Sequence, residues 1–192
     1  MKVLIAIMIL AGFVVVINAC NSSQEKGTPA TSAVSKDSLL TRGKYLVTIM
    51  GCNDCHSPKK MGPQGPFPDT ALLLSGYPAG EPLPAATPEQ QKMGQVVFTP
   101  DLTAASGPWG VSYAANITSD ATGIGNWTAE QFRNSLRTGK YMGLKEERMM
   151  VPPMPWQDFR NLTDADIDAV FAFLKSTKPV KNVVPTYQPP GK

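Results

Sequence analysis

Histidine is nearly absent from these 192 residues: His56 stands alone, and the only cysteines are Cys20, Cys52 and Cys55. A structural zinc site needs four thiolate or imidazole ligands, and with Cys20 far upstream the chain cannot gather them locally. No glycine-rich loop of phosphate-cradling spacing is present. Aspartates and glutamates fall mainly in helix starts and loops, so no convincing acid-base pair stands out. The formal charge of +3 falls to +2 once an export segment carrying Lys2 is removed, which gives no argument for a nucleic-acid partner.

What the chain does have is Cys52-Asn53-Asp54-Cys55-His56. At this spacing two thiols form thioethers to a haem while the adjacent imidazole ligates its iron. A thioredoxin-like pair would sit at a helix N-terminus within a strand-helix-strand pattern, which the flanks LVTIMG and SPKKMGPQGP do not offer. Two ionised haem propionates would bring the charge of the exported chain to about zero. The motif therefore predicts a c-type cytochrome with one covalent haem c, held by Cys52 and Cys55 and ligated by His56.

Residues 1–19 read as a lipoprotein signal peptide: Lys2 precedes an apolar run from Val3 to Ile17 that is too short and poorly flanked for a permanent span. Ala19 directly before Cys20 resembles the bacterial lipoprotein cleavage box, making Cys20 the expected lipidated first residue of the mature chain. An ordinary signal peptide cut nearby, or an uncleaved anchor helix, is the alternative. All three cysteines then have roles, and none is left to pair in an oxidising compartment. Residues 20–36, rich in Ser, Thr, Gly, Ala and Pro, are expected to form a disordered tether with a reach of roughly 20–25 Å. This places the protein outside the cytoplasm, anchored in a membrane and facing the periplasm.

Periodicity marks two terminal helices. From Ser38 to Met50, Leu39, Leu46 and Met50 share a face, and Gly43 permits close approach of another helix. Thr163 caps a helix with Asp164 and Asp166 at its positive end and Ile167, Val170, Phe171 and Leu174 at helical spacing, before Pro179 ends the pattern. The two helices are expected to cross with Gly43 beneath Phe173 or Phe171. Thr128 to Gln131 is a capping box for a short helix through Phe132 and Leu136 to Gly139, and Thr87 to Gln90 is a weaker copy. Most of residues 57–127, rich in Pro and Gly, reads as loops around the haem edges.

The blocks NITSDATGIGNWTAEQFRNSLRTGK (116–140) and VPPMPWQDFRNLTDADIDAVFAFLKSTKPV (151–180), with TRGKYLV and GCNDCHSP, resemble the cytochrome c subunits of bacterial membrane-bound alcohol and sugar-acid dehydrogenases. Those subunits usually carry several haem motifs; this chain has one. The expected fold is all-α, a cytochrome c fold with long Pro/Gly-rich loops around one covalently attached haem. Its domain would span 37–180, with a tail at 181–192.

With no second histidine, the distal iron ligand is expected to be a methionine, and six lie beyond the motif: Met61, Met93, Met142, Met149, Met150 and Met154. Pro152-Pro153-Met154-Pro155 restricts the backbone dihedrals and so can hold a thioether in place without helix or sheet. The resemblance also implies Met154, with Met149 and Met150 close enough to substitute. His56 is expected to donate its other ring N–H to a carbonyl of the Gly62–Pro66 loop. Trp109, Asn116, Trp127 and Arg137 are propionate-donor candidates by type and position, or ordinary packing residues.

The functional expectation is a single-haem carrier moving one electron at a time between a dehydrogenase or quinol-oxidising complex and a cytochrome or terminal oxidase. The main rival is a dedicated electron-accepting subunit of one periplasmic dehydrogenase. A gas sensor or peroxidase would require an iron position that is vacant or opens easily.

Overall fold

The computed structural model describes residues 35–82 and 86–191. Cys20, the expected signal peptide and the tether up to residue 34 lie outside the described residues. Helix α1 runs Lys36–Ile49, starting ahead of Ser38 because the Ser35 side chain accepts from the Ser38 N–H at 3.1 Å and caps it. Gly51 leads into the short helix α2, Cys52–His56. At the other end α6, Asp164–Lys175, starts at Thr163, whose hydroxyl accepts from the Asp166 N–H at 3.1 Å.

Helices α1 and α6 cross as the glycine in α1 suggests. A Cβ on Gly43 would lie 2.0 Å from the Ala169 carbonyl oxygen and 2.7 Å from the Phe173 Cβ, so the backbones meet at a distance only glycine allows. Ala169, absent from the apolar pattern, is consequently buried, whereas Phe171 is half-exposed and packs on Phe132 with ring centroids 5.2 Å apart. Arg42 clips the crossing from outside through Asp166 at 2.8 Å, and that hydrogen bond holds the Asp166 carboxyl below the usual carboxylate range. Leu46, Val47, Ile167, Val170 and Leu174 form the buried core with Leu74, Ile124, Phe132 and Leu136.

Between these ends lie α3 (Pro88–Lys92), α4 (Ala129–Thr138) and α5 (Trp156–Phe159). Both expected capping boxes are complete, Thr87 with Gln90 and Thr128 with Gln131. α4 ends on Gly139, whose φ of 71° lies in the left-handed region and frees its α-face for the Trp156 ring.

The fold is not all-α. Strands β1 (Lys59–Gly62) and β2 (Gly65–Pro68) form an antiparallel hairpin, and β3 (Val97–Phe98), β4 (Ala104–Gly107) and β5 (Gly110–Tyr113) form a second antiparallel sheet. Most of 57–127 is irregular as expected, but these five strands were not expected, for a physical reason. These strands have two to four residues each, and β4 is Ala-Ala-Ser-Gly, buried throughout and therefore without polar/apolar alternation. The segment expected as a tail is tied to this sheet: Gln188 bridges Val111, and the Asn182 side chain donates to the carbonyls of Ser75 and Tyr77, both at 2.8 Å.

Candidate haem site

Helix α2 carries Cys52 and Cys55 three residues apart on one helical side, with His56 at its end. Ser57, fully buried, locks that end: its hydroxyl donates to the Asn53 side chain and accepts from the Leu74 N–H, both at 2.8 Å. Lys59 reaches back from β1 to the Asp54 carbonyl and across to that of Asp101, each at 2.6 Å. The motif is thus clamped to both neighbouring segments before any prosthetic group is considered.

His56 is held through its backbone and its ring. Its carbonyl accepts from the Gly76 N–H at 2.8 Å, and its Nδ1 lies 2.7 Å from the Ala115 carbonyl. A carbonyl only accepts, so Nδ1 carries the proton and Nε2 keeps its lone pair. Burial pushes the imidazole below its ordinary pKa, against the opposing pull of the Ala115 carbonyl, and keeps it neutral. A neutral ring with fixed tautomer is what iron ligation by Nε2 requires. The expected partner in the Gly62–Pro66 loop is not used: those residues close the β1–β2 hairpin, and the Ala115 carbonyl takes the ring N–H instead.

Burial also pushes the Cys52 thiol up, to about 11, and the Cys55 thiol in the same direction. A redox-active cysteine pair needs the opposite shift. Among the described residues no three His, Cys, Asp or Glu side chains gather into a metal cage. The donor set of two protonated thiols, one neutral imidazole and an apolar surround fits a covalent haem and fits a bare metal ion poorly.

Met154 packs against the same apolar cluster as Cys52. Its approach is fixed from two sides: the Met150 N–H donates to the Gly139 carbonyl at 2.7 Å, and Trp156 lies on Gly139. Met149 is 43 % exposed and points away from such a role, while Met150 is half-buried. The Thr122–Trp127 block is a compact turn. Asp120 accepts from the Thr122 hydroxyl at 2.6 Å and from its N–H at 2.8 Å, Lys175 reaches the Gly125 carbonyl, and Ile124 is delivered to the core.

Three of the four propionate-donor candidates are engaged elsewhere. The Asn116 amide donates to the Val180 carbonyl at 2.8 Å and to Thr122 at 3.1 Å. Arg137 binds Asp164 at 2.7 Å and the Arg160 carbonyl. The Trp109 indole N–H donates to Ser112 at 3.2 Å. Trp127 packs on the core cluster and makes no side-chain hydrogen bond among the described residues. Sequence reasoning missed Ser57 and Ala115: a serine hydroxyl and a backbone carbonyl leave no pattern, and the strand that delivers Ala115 was not visible.

Residues 40–178 match the family model described as cytochrome c. The chain belongs to the cytochrome c family. Membership implies a covalent haem c and makes this an electron-transfer haem protein. The chain is 30 % identical over 165 residues, 85 % of its length, to the fructose dehydrogenase cytochrome subunit of Gluconobacter japonicus, covering 26 % of that protein. It is 30 % identical over 146 residues to the cytochrome c subunit of the quinone alcohol dehydrogenase of Gluconobacter oxydans, covering 75 % of this cytochrome and 23 % of the relative. One of the nicotinate dehydrogenase subunits of Pseudomonas putida shares 39 % over 82 residues, 42 % of the chain and 7 % of that relative. The chain thus spans about a quarter or less of these relatives.

Proposed function

We propose that this cytochrome carries one electron at a time between redox proteins outside the cytoplasm, with a single haem bonded to Cys52 and Cys55 and its iron ligated by His56 and Met154. The observation that carries this reading is the Ala115 carbonyl 2.7 Å from His56 Nδ1, which leaves the Nε2 lone pair available to iron. When bound, the haem supplies a reversible one-electron centre whose potential rises with thioether ligation and burial. Arg42, Arg133 and Arg137 form ion pairs to Asp166, Asp168 and Asp164 across helix crossings, which helps to fix the helices that frame the site.

The partners fitting this reading are a dehydrogenase or quinol-oxidising complex on one side and a cytochrome or terminal oxidase on the other. The names of the relatives keep a second reading open, a dedicated electron-accepting subunit of a dehydrogenase; stable co-purification with one flavin or quinoprotein partner would favour it. The covalent attachment is tested by acid-acetone extraction of the purified holoprotein. Haem should stay with the chain, whereas extractable haem would refute the thioether assignment.

Cys20 is the proposed lipid anchor. Replacing it with serine should move the protein from the membrane fraction to the soluble periplasmic fraction; unchanged fractionation would overturn the anchor and with it the membrane-facing location.

A further inference from the structure

Resting on the assignment of Met154 as ligand, we propose that Ser112 is the positioning residue for that methionine. The Ser112 hydroxyl lies 2.7 Å from the Pro152 carbonyl and 3.3 Å from that of Ala105. It has one proton, and the shorter contact takes it. Pro152, Pro153 and Pro155 have no N–H, so the segment around Met154 cannot secure itself by ordinary backbone pairing. Between Met150, which donates to Gly139, and Pro155, which accepts from Asp158, the Ser112–Pro152 bond is the one hydrogen bond found among the described residues.

The donor is itself fixed. Ser112 is 7 % exposed and accepts from the Trp109 indole at 3.2 Å, while the Tyr187 hydroxyl donates to the Trp109 carbonyl at 2.5 Å. Cross-strand pairing with Ala105 sets the register. Three residues further along the same chain direction, the Ala115 carbonyl holds His56. One extended segment therefore supports the imidazole through a backbone oxygen and the thioether through a side-chain hydroxyl, and the second support can be removed without touching the first.

The test is displacement of Met154 by added imidazole in the ferric holoprotein, followed by loss of the weak far-red sulfur-to-iron band. Exogenous ligand binds the population in which the thioether has let go, so apparent affinity reports how firmly it is held. Ser112→Ala should bind imidazole roughly tenfold more tightly than the native chain, the effect of losing one buried hydrogen bond. Ser112→Thr should restore near-native affinity. If Ser112→Ala does not fold, Ser112→Thr and Ser112→Val, alike in shape and differing in the hydroxyl, make the same comparison. Native-like imidazole affinity in Ser112→Ala, or in Ser112→Val equal to Ser112→Thr, overturns the proposal while leaving Met154 as ligand. Absence of the far-red band in the native protein instead overturns the ligand assignment itself.

Discussion

Met154→Ala should abolish the far-red sulfur-to-iron band, convert the oxidised protein to high spin and let the reduced protein bind carbon monoxide. Ala removes the only thioether in the proline-bounded segment that packs against the same cluster as Cys52, and no second histidine exists to replace it. The potential should fall by on the order of 0.1–0.3 V, a fraction of the ~0.8 V that axial ligation spans. Met149, largely exposed, and Met150, whose N–H is committed to the Gly139 carbonyl, are the competitors this variant addresses. If either were the true ligand, Met154→Ala would keep its low-spin spectrum and the corresponding Met149 or Met150 variant would lose it. The covalent haem should survive, because its attachment depends on α2 and not on this loop.

The second large effect is expected far from the iron. Gly43→Ala adds one methyl group at a helix interior position, where propensity alone would favour alanine by about 1 kcal/mol. Against that stands a Cβ 2.0 Å from the Ala169 carbonyl oxygen and 2.7 Å from the Phe173 Cβ, contacts that no rotamer change relieves. Overpacking costs about 1–3 kcal/mol and occasionally more, and a contact this short against backbone belongs at or beyond the upper end, so the cost exceeds the propensity gain. A net loss of about 2 kcal/mol should lower the melting temperature of the holoprotein by roughly 4–8 °C. Because α1 leads directly into Cys52, the same variant should also attach haem less completely in the cell. An unchanged or higher melting temperature would mean that α1 and α6 do not meet at Gly43.

The parts of the molecule written as local side-chain chemistry were legible in the sequence. Cys52, Cys55 and His56 announce themselves by spacing; Thr128 announces a helix start by its hydroxyl and the Gln131 amide, and Thr163 by its hydroxyl and the aspartates after it; Gly43 announces a helix crossing because a bare residue interrupts an apolar face. The sheets were illegible because β4 is four small residues buried throughout, leaving no alternation to read, because β1 is Lys-Lys-Met-Gly with no β-branched or aromatic residue, and because β2 is Gly-Pro-Phe-Pro, whose glycine and prolines ordinarily argue against a strand. Missing β5 then hid two features of the site at once, the Ala115 carbonyl on His56 and the Ser112 hydroxyl on Pro152. Asn116, Arg137 and Trp109 have the chemistry of propionate donors, but distant partners at Val180 and Asp164 take up the first two and the nearby Ser112 hydroxyl takes up the third. Residue type states what a side chain can do; which partner reaches it first is a property of the fold.

The small sheets also change what holds the site. Loops wrapped around a haem would leave its ligands dependent on the prosthetic group for their placement. A strand clamped on one side by the Ala104–Tyr113 pairing and on the other by Gln188 presents the same supports from a sheet. Electron transfer gains from such stiffness, since less ligand movement between oxidation states means less energy spent on reorganisation.

Access of carbon monoxide to the iron decides whether a single one-electron centre has both axial positions filled by this chain. A potentiometric titration of the native holoprotein under carbon monoxide, followed optically, addresses it most directly. The expected result is one one-electron wave, low-spin spectra at both ends and a midpoint identical with and without carbon monoxide. A midpoint raised by carbon monoxide, a high-spin spectrum in either state or a second wave would contradict it.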